Sequence, residues 1–361
     1  MIPPAIGGPA RSAAASVLEI AGANRRARRR FVDRLRILMY HGVVERHTEA
    51  SSYGDLFVTA AAFARQMRHL ARHYHVLPLE AALDALAAGT PLPPRAVALT
   101  IDDGYRNTID VAAPILQRFE FPATVFVASE LPGAGRLLWF DVLRILVAQA
   151  RTPAARRTLA SMLELPHGAN RSAAAMHRSL LHAIRALPML RFETLIAQLD
   201  ILAYRQRLAD RAPEFALADW SAWRRAIAHG RLAVGSHGEC HEDFTQQAPD
   251  RRRSALARSK ARIERELDRA CDVLAYPYGA WDQTTADDAA AAGYRVAVTT
   301  DDGWNAAGQR PLTLHRTMIG DGGSLALFAA RTSGAWRTWR ADRALDAAPI
   351  ESPVAVHATQ P

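Results

Sequence analysis

Residues 96–104 read Ala-Val-Ala-Leu-Thr-Ile-Asp-Asp-Gly. Six apolar or β-branched residues end abruptly on two carboxylates and a glycine. So short and uniform an apolar run predicts a strand buried on both faces, with the polar triplet at its end. Two other stretches share this pattern. Leu232–Ser236 stops at His237-Gly238-Glu239-Cys240-His241, and Val273–Tyr276 runs into Pro277-Tyr278-Gly279. Ile37–Tyr40, Ala123–Ala128 and Arg295–Thr299 add three more strands. Helical periods lie between: Ala60–Tyr74 with Phe63, Met67 and Leu70 on one face, Leu79–Ala88 stopped by Gly89, Asn107–Phe119, Arg251–Arg269, and Gln283–Ala292 closed by Gly293. Alternation of this kind predicts an α/β fold built on a mostly parallel sheet or barrel. The C-terminal strand ends of such folds converge on one site.

One stretch breaks the rhythm. From about 137 to 230 the pattern is helical, without a convincing strand, and punctuated by Pro153, Pro166, Pro188 and Pro213. It reads as a helical insertion between two consecutive strands. The chain of 361 residues, 49% hydrophobic and 22% charged, has ample material for a core, which excludes wholesale disorder. Two cysteines, Cys240 and Cys271, make no disulfide framework, and Cys240 reads as a small buried filler. No run reaches the ~18 apolar residues of a membrane span.

The formal charge is +9. Arg25, Arg26, Arg28, Arg29 and Arg30 precede the first strand, and Arg251, Arg252 and Arg253 open a helix whose charges alternate through Arg269. The second group reads as a solvated helix face. The first reads equally as a solvated tail or as a patch in peripheral contact with an anionic membrane. Arg28-Arg29-Arg30-Phe31-Val32 has the look of a twin-arginine signal, but only Ile37-Leu38-Met39-Tyr40 follows as an apolar run. The expectation is a protein without an export signal, in the cytoplasm, and not a nucleic-acid binder.

The strand-end clusters carry chemistry. Two adjacent carboxylates cannot point the same way, because side chains alternate. One can hold a cation while the other handles a proton. His237 and His241, four apart, can share a metal if their segment curls. Two histidines and one aspartate leave open positions for water and substrate, the pattern of a catalytic rather than a structural metal. A backbone N–H in the Pro277-Tyr278-Gly279 turn can meet an oxyanion. The combination describes metal-assisted hydrolysis of an amide or ester.

At this point the chain resembles the polysaccharide deacetylases, the NodB-homology group of carbohydrate esterases. Thr100-Ile101-Asp102-Asp103-Gly104 is similar to that family's first motif, His237–His241 to its second, and Ala275-Tyr276-Pro277-Tyr278-Gly279 to its third. Leu38-Met39-Tyr40-His41-Gly42-Val43 and Pro122–Val127 resemble flanking strands. The resemblance implies a distorted (β/α) barrel, here with a helical insertion, over residues 36–332, after a basic segment 1–35 and before an Ala/Pro-rich tail 333–361 expected to be disordered. It implies Asp102 as general base, Asp103, His237 and His241 as ligands of a divalent metal (zinc first, with cobalt, nickel or iron as alternatives), and the Tyr278 amide in an oxyanion hole. The implied reaction removes acetyl from an N-acetylated polysaccharide or its lipid-linked precursor. The rivals are another amide or O-acetyl ester as substrate, or an inactive carbohydrate-binding relative.

Departures are visible too. Gly238 stands where Ser or Thr is usual, and Glu242 where Pro is common. Asp301-Asp302-Gly303-Trp304-Asn305 matches the fourth motif poorly. For the fifth motif, Leu314-His315-Arg316 is the local candidate, which makes His315 the expected general acid and His41 the reserve. Pro277, Trp281, Trp304 and Arg316 are expected against substrate, the tryptophans by stacking on sugar rings and the arginine by meeting an anion.

Overall fold

The computed structural model describes residues 8–165, 172–321 and 323–337. Its strands are β1 (Arg36–Tyr40), β2 (Val43–Val44), β3 (Val58–Thr59), β4 (His75–Leu77), β5 (Ala96–Ile101), β6 (Ala123–Val127), β7 (Leu232–Ser236), β8 (Val273–Ala275), β9 (Val296–Val298) and β10 (Thr317–Met318). One sheet runs β10-β1-β5-β6-β7-β8-β9, with β4 also on β5. Every pairing in it is parallel. The sheet curls until its two edges share one segment. Leu314 bridges Val298 of β9, and the same stretch continues as β10 beside β1. The Thr299 N–H donates to the Leu314 carbonyl at 2.8 Å, and the Leu314 N–H to that of Ala297 at 3.0 Å. The expected α/β barrel, built on a parallel sheet, is the fold observed.

Alternation along these strands separates two cores. Ile37, Ala96, Ala98, Phe126, Val273, Ala275, Val296, Val298 and Leu314 face inward together. Val97, Leu99, Ile101, Val125, Val127, Leu274 and Ala297 face outward, under the helices. The interior is mostly small residues because Phe126 fills it. Gly235 on β7 meets that ring, and a Cβ there would lie 2.7 Å from Phe126 and 2.6 Å from Val273. Helix Ala60–His73 buries Phe63, Met67 and Leu70 as its period predicts, its first turn capped by Thr59, whose side chain accepts from the Ala62 N–H.

The segment after β6 is helical: Trp139–Gln149, Pro153–Met162, Ala173–Arg185 and Met189–Arg205 pack into a separate core. That core also takes in Val44, Tyr53, Phe57, Tyr105 and Ala128, from loops at the C-terminal end of the barrel. The insertion therefore sits over the end where the strands deliver their polar clusters. Its expected boundary near 230 moves inward. Helix Trp220–Ala228 places Trp220, Trp223 and Ile227 in the outer barrel core, so it is the crossover helix that leads into β7.

The basic segment differs from a solvated tail. Helices Gly8–Ile20 and Ala23–Arg30 pack against helix Leu325–Ser333. Ala15, Leu327, Ala330 and Trp336 form a small core there, and Ser333 Oγ donates to Asn24 Oδ1 at 3.0 Å. Most of the expected C-terminal tail, residues 338–361, lies outside the described residues.

Candidate active site

Asp102 and Asp103 leave the end of β5, His237 the end of β7, and Tyr278 the turn after β8. All but Tyr278 are among the buried polar residues of the protein. Asp103 (φ 75°), His241 (φ 61°) and Tyr278 (φ 60°) adopt the left-handed region, which ordinary residues keep only where the surroundings impose it. In each case the turn redirects a side chain or peptide that would otherwise follow the strand.

The turn at Asp103 separates the two carboxylates. Asp102 continues the inward alternation of Ala96, Ala98 and Thr100, and its N–H donates to the Tyr40 carbonyl at 2.9 Å. Inside the barrel it meets Arg316, whose guanidinium donates to both carboxylate oxygens at 2.7 and 2.8 Å. Arg316 is itself fixed through its Nε to the Thr299 carbonyl at 2.9 Å and lies over the Phe126 ring. Burial alone would raise the Asp102 carboxyl, but the Arg316 charge and hydrogen bonds, with His237 and His41 beside them, together outweigh it and hold it down at about 2.

Asp103 points the other way, toward the histidines. Its Oδ1 is 3.6 Å from His237 Nε2 and 3.5 Å from His241 Nε2. One ligand atom from each of the three residues lies within 4.8 Å of the others. His237 Nδ1 is 2.7 Å from the Ala275 carbonyl, which places the proton on Nδ1 and leaves Nε2 as a lone pair facing Asp103. Both Asp103 oxygens are buried without a hydrogen-bond partner. Burial, then Asp102 and Asp141, push its carboxyl well above the usual range. A buried, unpartnered carboxylate facing two imidazole Nε2 atoms is a donor set that fits a divalent cation.

The two departures in the histidine loop explain each other. Gly238 is left-handed (φ 77°), and a Cβ on it would come within 2.8 Å of Glu242 Oε2. The Glu242 carboxylate instead accepts from the N–H groups of Glu239 (3.1 Å) and Cys240 (2.8 Å), while Ser259 Oγ donates to the Gly238 carbonyl at 2.8 Å. The loop is shaped by Glu242 and Ser259 in place of a Ser/Thr hydroxyl and a proline. Cys240, expected to be buried, is exposed and outside the ligand cluster.

In the third loop Gly279 cannot be another residue, since a Cβ would lie 2.1 Å from Thr300 Oγ1. The Gly279 and Ala280 N–H groups are used within the turn, donating to Tyr276 and Pro277 carbonyls at 2.8 and 3.1 Å. Among the described residues the Tyr278 N–H has no acceptor. The Tyr278 ring packs edge-on against His241, with centroids 4.4 Å apart, and its hydroxyl accepts from Trp139 Nε1 at 2.9 Å. Pro277 is buried within the turn itself, so the role visible for it is to shape the backbone rather than to touch substrate.

Other expectations change. Arg316 was expected against substrate, but it is fully buried as the partner of Asp102. His315 is its neighbour on an extended segment, so the two side chains point oppositely. His315 lies against Gly303, and its backbone exchanges hydrogen bonds with the Asn305 side chain at 2.8 and 2.9 Å. Trp304 stacks on Phe31 at 3.7 Å and under Arg36 at 4.3 Å, at the N-terminal end of β1 and far from the strand ends that carry the site. Trp281 packs against the outer core, its Nε1 3.5 Å from Asp301 Oδ2. His41, the reserve, is close enough to Asp102, Arg316 and His237 to feel their charges. Its Nδ1 is buried without a partner, and burial chiefly lowers its pKa to about 4.

Residues that sequence reasoning missed come from the insertion. Trp139 supports Tyr278, Phe140 packs edge-on against His241 with centroids 5.0 Å apart, and Asp141 accepts from the Tyr105 hydroxyl at 2.7 Å. A cavity of about 480 Å³ opens from His241 and Tyr278, between helix Met189–Arg205 and loop 240–247. A larger cleft, about 860 Å³, lies at the N-terminal strand ends beside Leu83, Asp272 and Arg295 and holds none of these residues. The chemistry, not the volume, identifies the site.

Comparison with known proteins agrees with this placement. The polysaccharide deacetylase family model matches residues 89–176 and 196–309. The chain is 28% identical to YxkH of Bacillus subtilis (strain 168) over 106 residues, 29% of this chain and 38% of that protein. It is 33% identical over 87 residues to the poly-beta-1,6-N-acetyl-D-glucosamine N-deacetylase of Escherichia coli (strain K12), covering 24% of this chain and 12% of that enzyme. It thus spans well under half the length of these curated relatives. Among solved structures, IcaB from Ammonifex degensii superposes with a TM-score of 0.54 at 19% identity, covering 83% of this chain and 97% of that one. The Streptococcus pyogenes deacetylase PplD superposes with a TM-score of 0.54 at 20% identity, covering 80% and 94%. At these identities the likeness is one of fold.

Proposed function

The chain belongs to the polysaccharide deacetylase family, and from that premise we propose that it is a metal-dependent hydrolase that removes N-acetyl groups from an N-acetylated polysaccharide or its lipid-linked precursor. One observation carries the reading. A buried Asp103–His237–His241 cluster with unsatisfied donor atoms stands beside an ionised Asp102 locked to Arg316. Asp103, His237 and His241 would hold the ion, with zinc the first to test. Once bound, a divalent cation supplies Lewis acidity, lowering the pKa of a water and polarising an acyl oxygen.

The remaining roles fall to this chain's own groups. Asp102, ionised at rest, accepts the proton of the attacking water, and Arg316 keeps it ionised and aimed. The Tyr278 N–H, without an acceptor among the described residues, would donate to the oxygen that becomes anionic. His41, which feels the charge of Asp102, is the proposed proton donor to the departing nitrogen. It is neutral at rest, so it passes on to the nitrogen the proton that Asp102 takes from the water, and both groups end as they began. The balance is simple: water adds to the acyl carbon, the C–N bond breaks, the nitrogen takes a proton, and acetate and a free amine leave.

The test is acetate release from a panel of N-acetylated glycans, poly-β-1,6-N-acetylglucosamine and chitooligosaccharides among them, alongside metal analysis of the purified protein. Asp103→Asn and His237→Ala should lose both metal and activity. His41→Ala should keep its metal and lose roughly 10²–10⁴ in kcat, while His315→Ala stays within about twofold of wild type, as expected for a residue outside the site. Full activity in Asp103→Asn would refute the metal assignment. An inactive His315→Ala with normal folding would return the acid role to that residue.

A further inference from the structure

Helix Ala23–Arg30 reads Ala-Asn-Arg-Arg-Ala-Arg-Arg-Arg: five arginines in eight residues, with no acid. It is seated by Asn24 and Ala27, its two buried residues. At 100° per residue, Arg25, Arg29, Arg26 and Arg30 occupy the arc opposite those two. All four are exposed. None forms an ion pair among the described residues. Arg30 lies over the Phe31 ring, 5.4 Å from its centroid. Other positive groups gather nearby. Burial chiefly lowers the pKa of His73, and Arg28, Arg95 and Arg72 lower it further, against Glu19 acting the other way. The other acid of this stretch, Asp33, lies 3.8 Å from Arg34. Val17 and Val32 are exposed at 64% and 39%.

The location matters as much as the charge. The segment after the helix is tied to the residue before β5 by the Arg95 N–H donating to the Val32 carbonyl at 2.7 Å. That is the N-terminal end of the strands, while the candidate active site lies at their C-terminal ends. We infer that helix Ala23–Arg30 is a docking surface for an anionic phospholipid bilayer, holding the enzyme at a membrane with its active site facing away from the lipid. The exposed side is a helix face of four arginines, with exposed Val17 and Val32 in the segments before and after the helix. It offers charge to a flat anionic surface, and no groove or stacking platform of the kind that tracks a nucleic-acid strand. No helix among the described residues is long and apolar enough to span a bilayer, so the contact is peripheral.

The experiment is flotation of the full chain with vesicles of phosphatidylcholine alone and of phosphatidylcholine with one-third phosphatidylglycerol, at low and high salt. Binding should require the anionic lipid and weaken with salt. A variant with Arg25, Arg26, Arg29 and Arg30 each replaced by Gln should bind at least about tenfold more weakly. A variant of equal net charge, with Arg118, Arg157, Arg178 and Arg265 replaced by Gln, should bind as wild type does. Circular dichroism and acetate release from a soluble glycan establish that both variants are folded, and the vesicle result stands whether or not the deacetylase reading does. Equal loss in both variants would reduce the effect to net charge and overturn the proposal. So would absence of binding to anionic vesicles, or tighter binding to a DNA duplex than to the vesicles.

Discussion

Arg316 is buried inside the barrel with its guanidinium on both oxygens of Asp102, at 2.7 and 2.8 Å. The two residues lie far apart along the chain and meet only because the barrel closes through residues 314–318. Closure also dictates the alternation that turns Arg316 inward and His315 outward. The pair makes a testable statement about pH. Asp102 is held below its ordinary value, at about 2, so its contribution to stability is fully present above about pH 4 and is lost as the pH falls toward 2. Arg316→Gln removes the largest opposing charge and leaves burial, the strongest influence on Asp102, against only His237 and His41, so the Asp102 carboxyl should rise. Leaving a buried charge unpaired costs roughly 3–5 kcal/mol. Urea denaturation should show that penalty at pH 7 and a clearly smaller one at pH 4.5, where the stranded carboxylate can take a proton. A penalty of the same size at both pH values would mean that Arg316 acts by packing, not by charge.

At the scale of elements, six strands and five helices followed from apolar period, and the strands did so because parallel strands buried on both faces leave uniform apolar runs. The strands that escaped are short. β2, β3 and β10 are two residues each and β4 is three, too brief to show alternation. The site divides in the same way. Asp102, Asp103, His237, His241 and Tyr278 were readable because each sits at a strand end that the sequence marks. Trp139, Phe140 and Asp141 were not, since in sequence they look like the apolar start of any helix. Their contacts with Tyr278, His241 and Tyr105 make the insertion part of the site's support. Trp139→Phe keeps an aromatic ring, though a smaller one, and removes the N–H that the Tyr278 hydroxyl accepts. It should cost at least about 1 kcal/mol in stability and slow turnover by about tenfold as the Tyr278 loop loosens, with metal content unchanged. Denaturation and kcat measured on the same preparation check both; unchanged turnover would make the insertion a bystander to catalysis.

For the whole molecule, folding and ion binding are linked. The barrel buries Asp103 with no hydrogen-bond partner, near Asp102 and Asp141, and a fold that buries such a group gains when a cation compensates it. Any ligand that binds only the folded state stabilises it by RT ln(1 + [L]/Kd), about 2.7 kcal/mol at a hundredfold excess over Kd. Zinc should therefore raise the melting temperature of the metal-free protein by several degrees. Asp103→Asn removes the charge but keeps the shape. Without metal it should melt no lower than the metal-free wild type, because a neutral amide is cheaper to bury than a carboxylate, and zinc should no longer shift it. His41→Ala, outside the ligand set, should keep the full zinc shift even though it loses turnover. Differential scanning calorimetry of the three proteins with and without zinc separates the cases. A wild type that is active yet melts at the same temperature in both conditions would break the link between the buried cluster and the ion. A His41→Ala variant that loses the shift would place that histidine among the ligands.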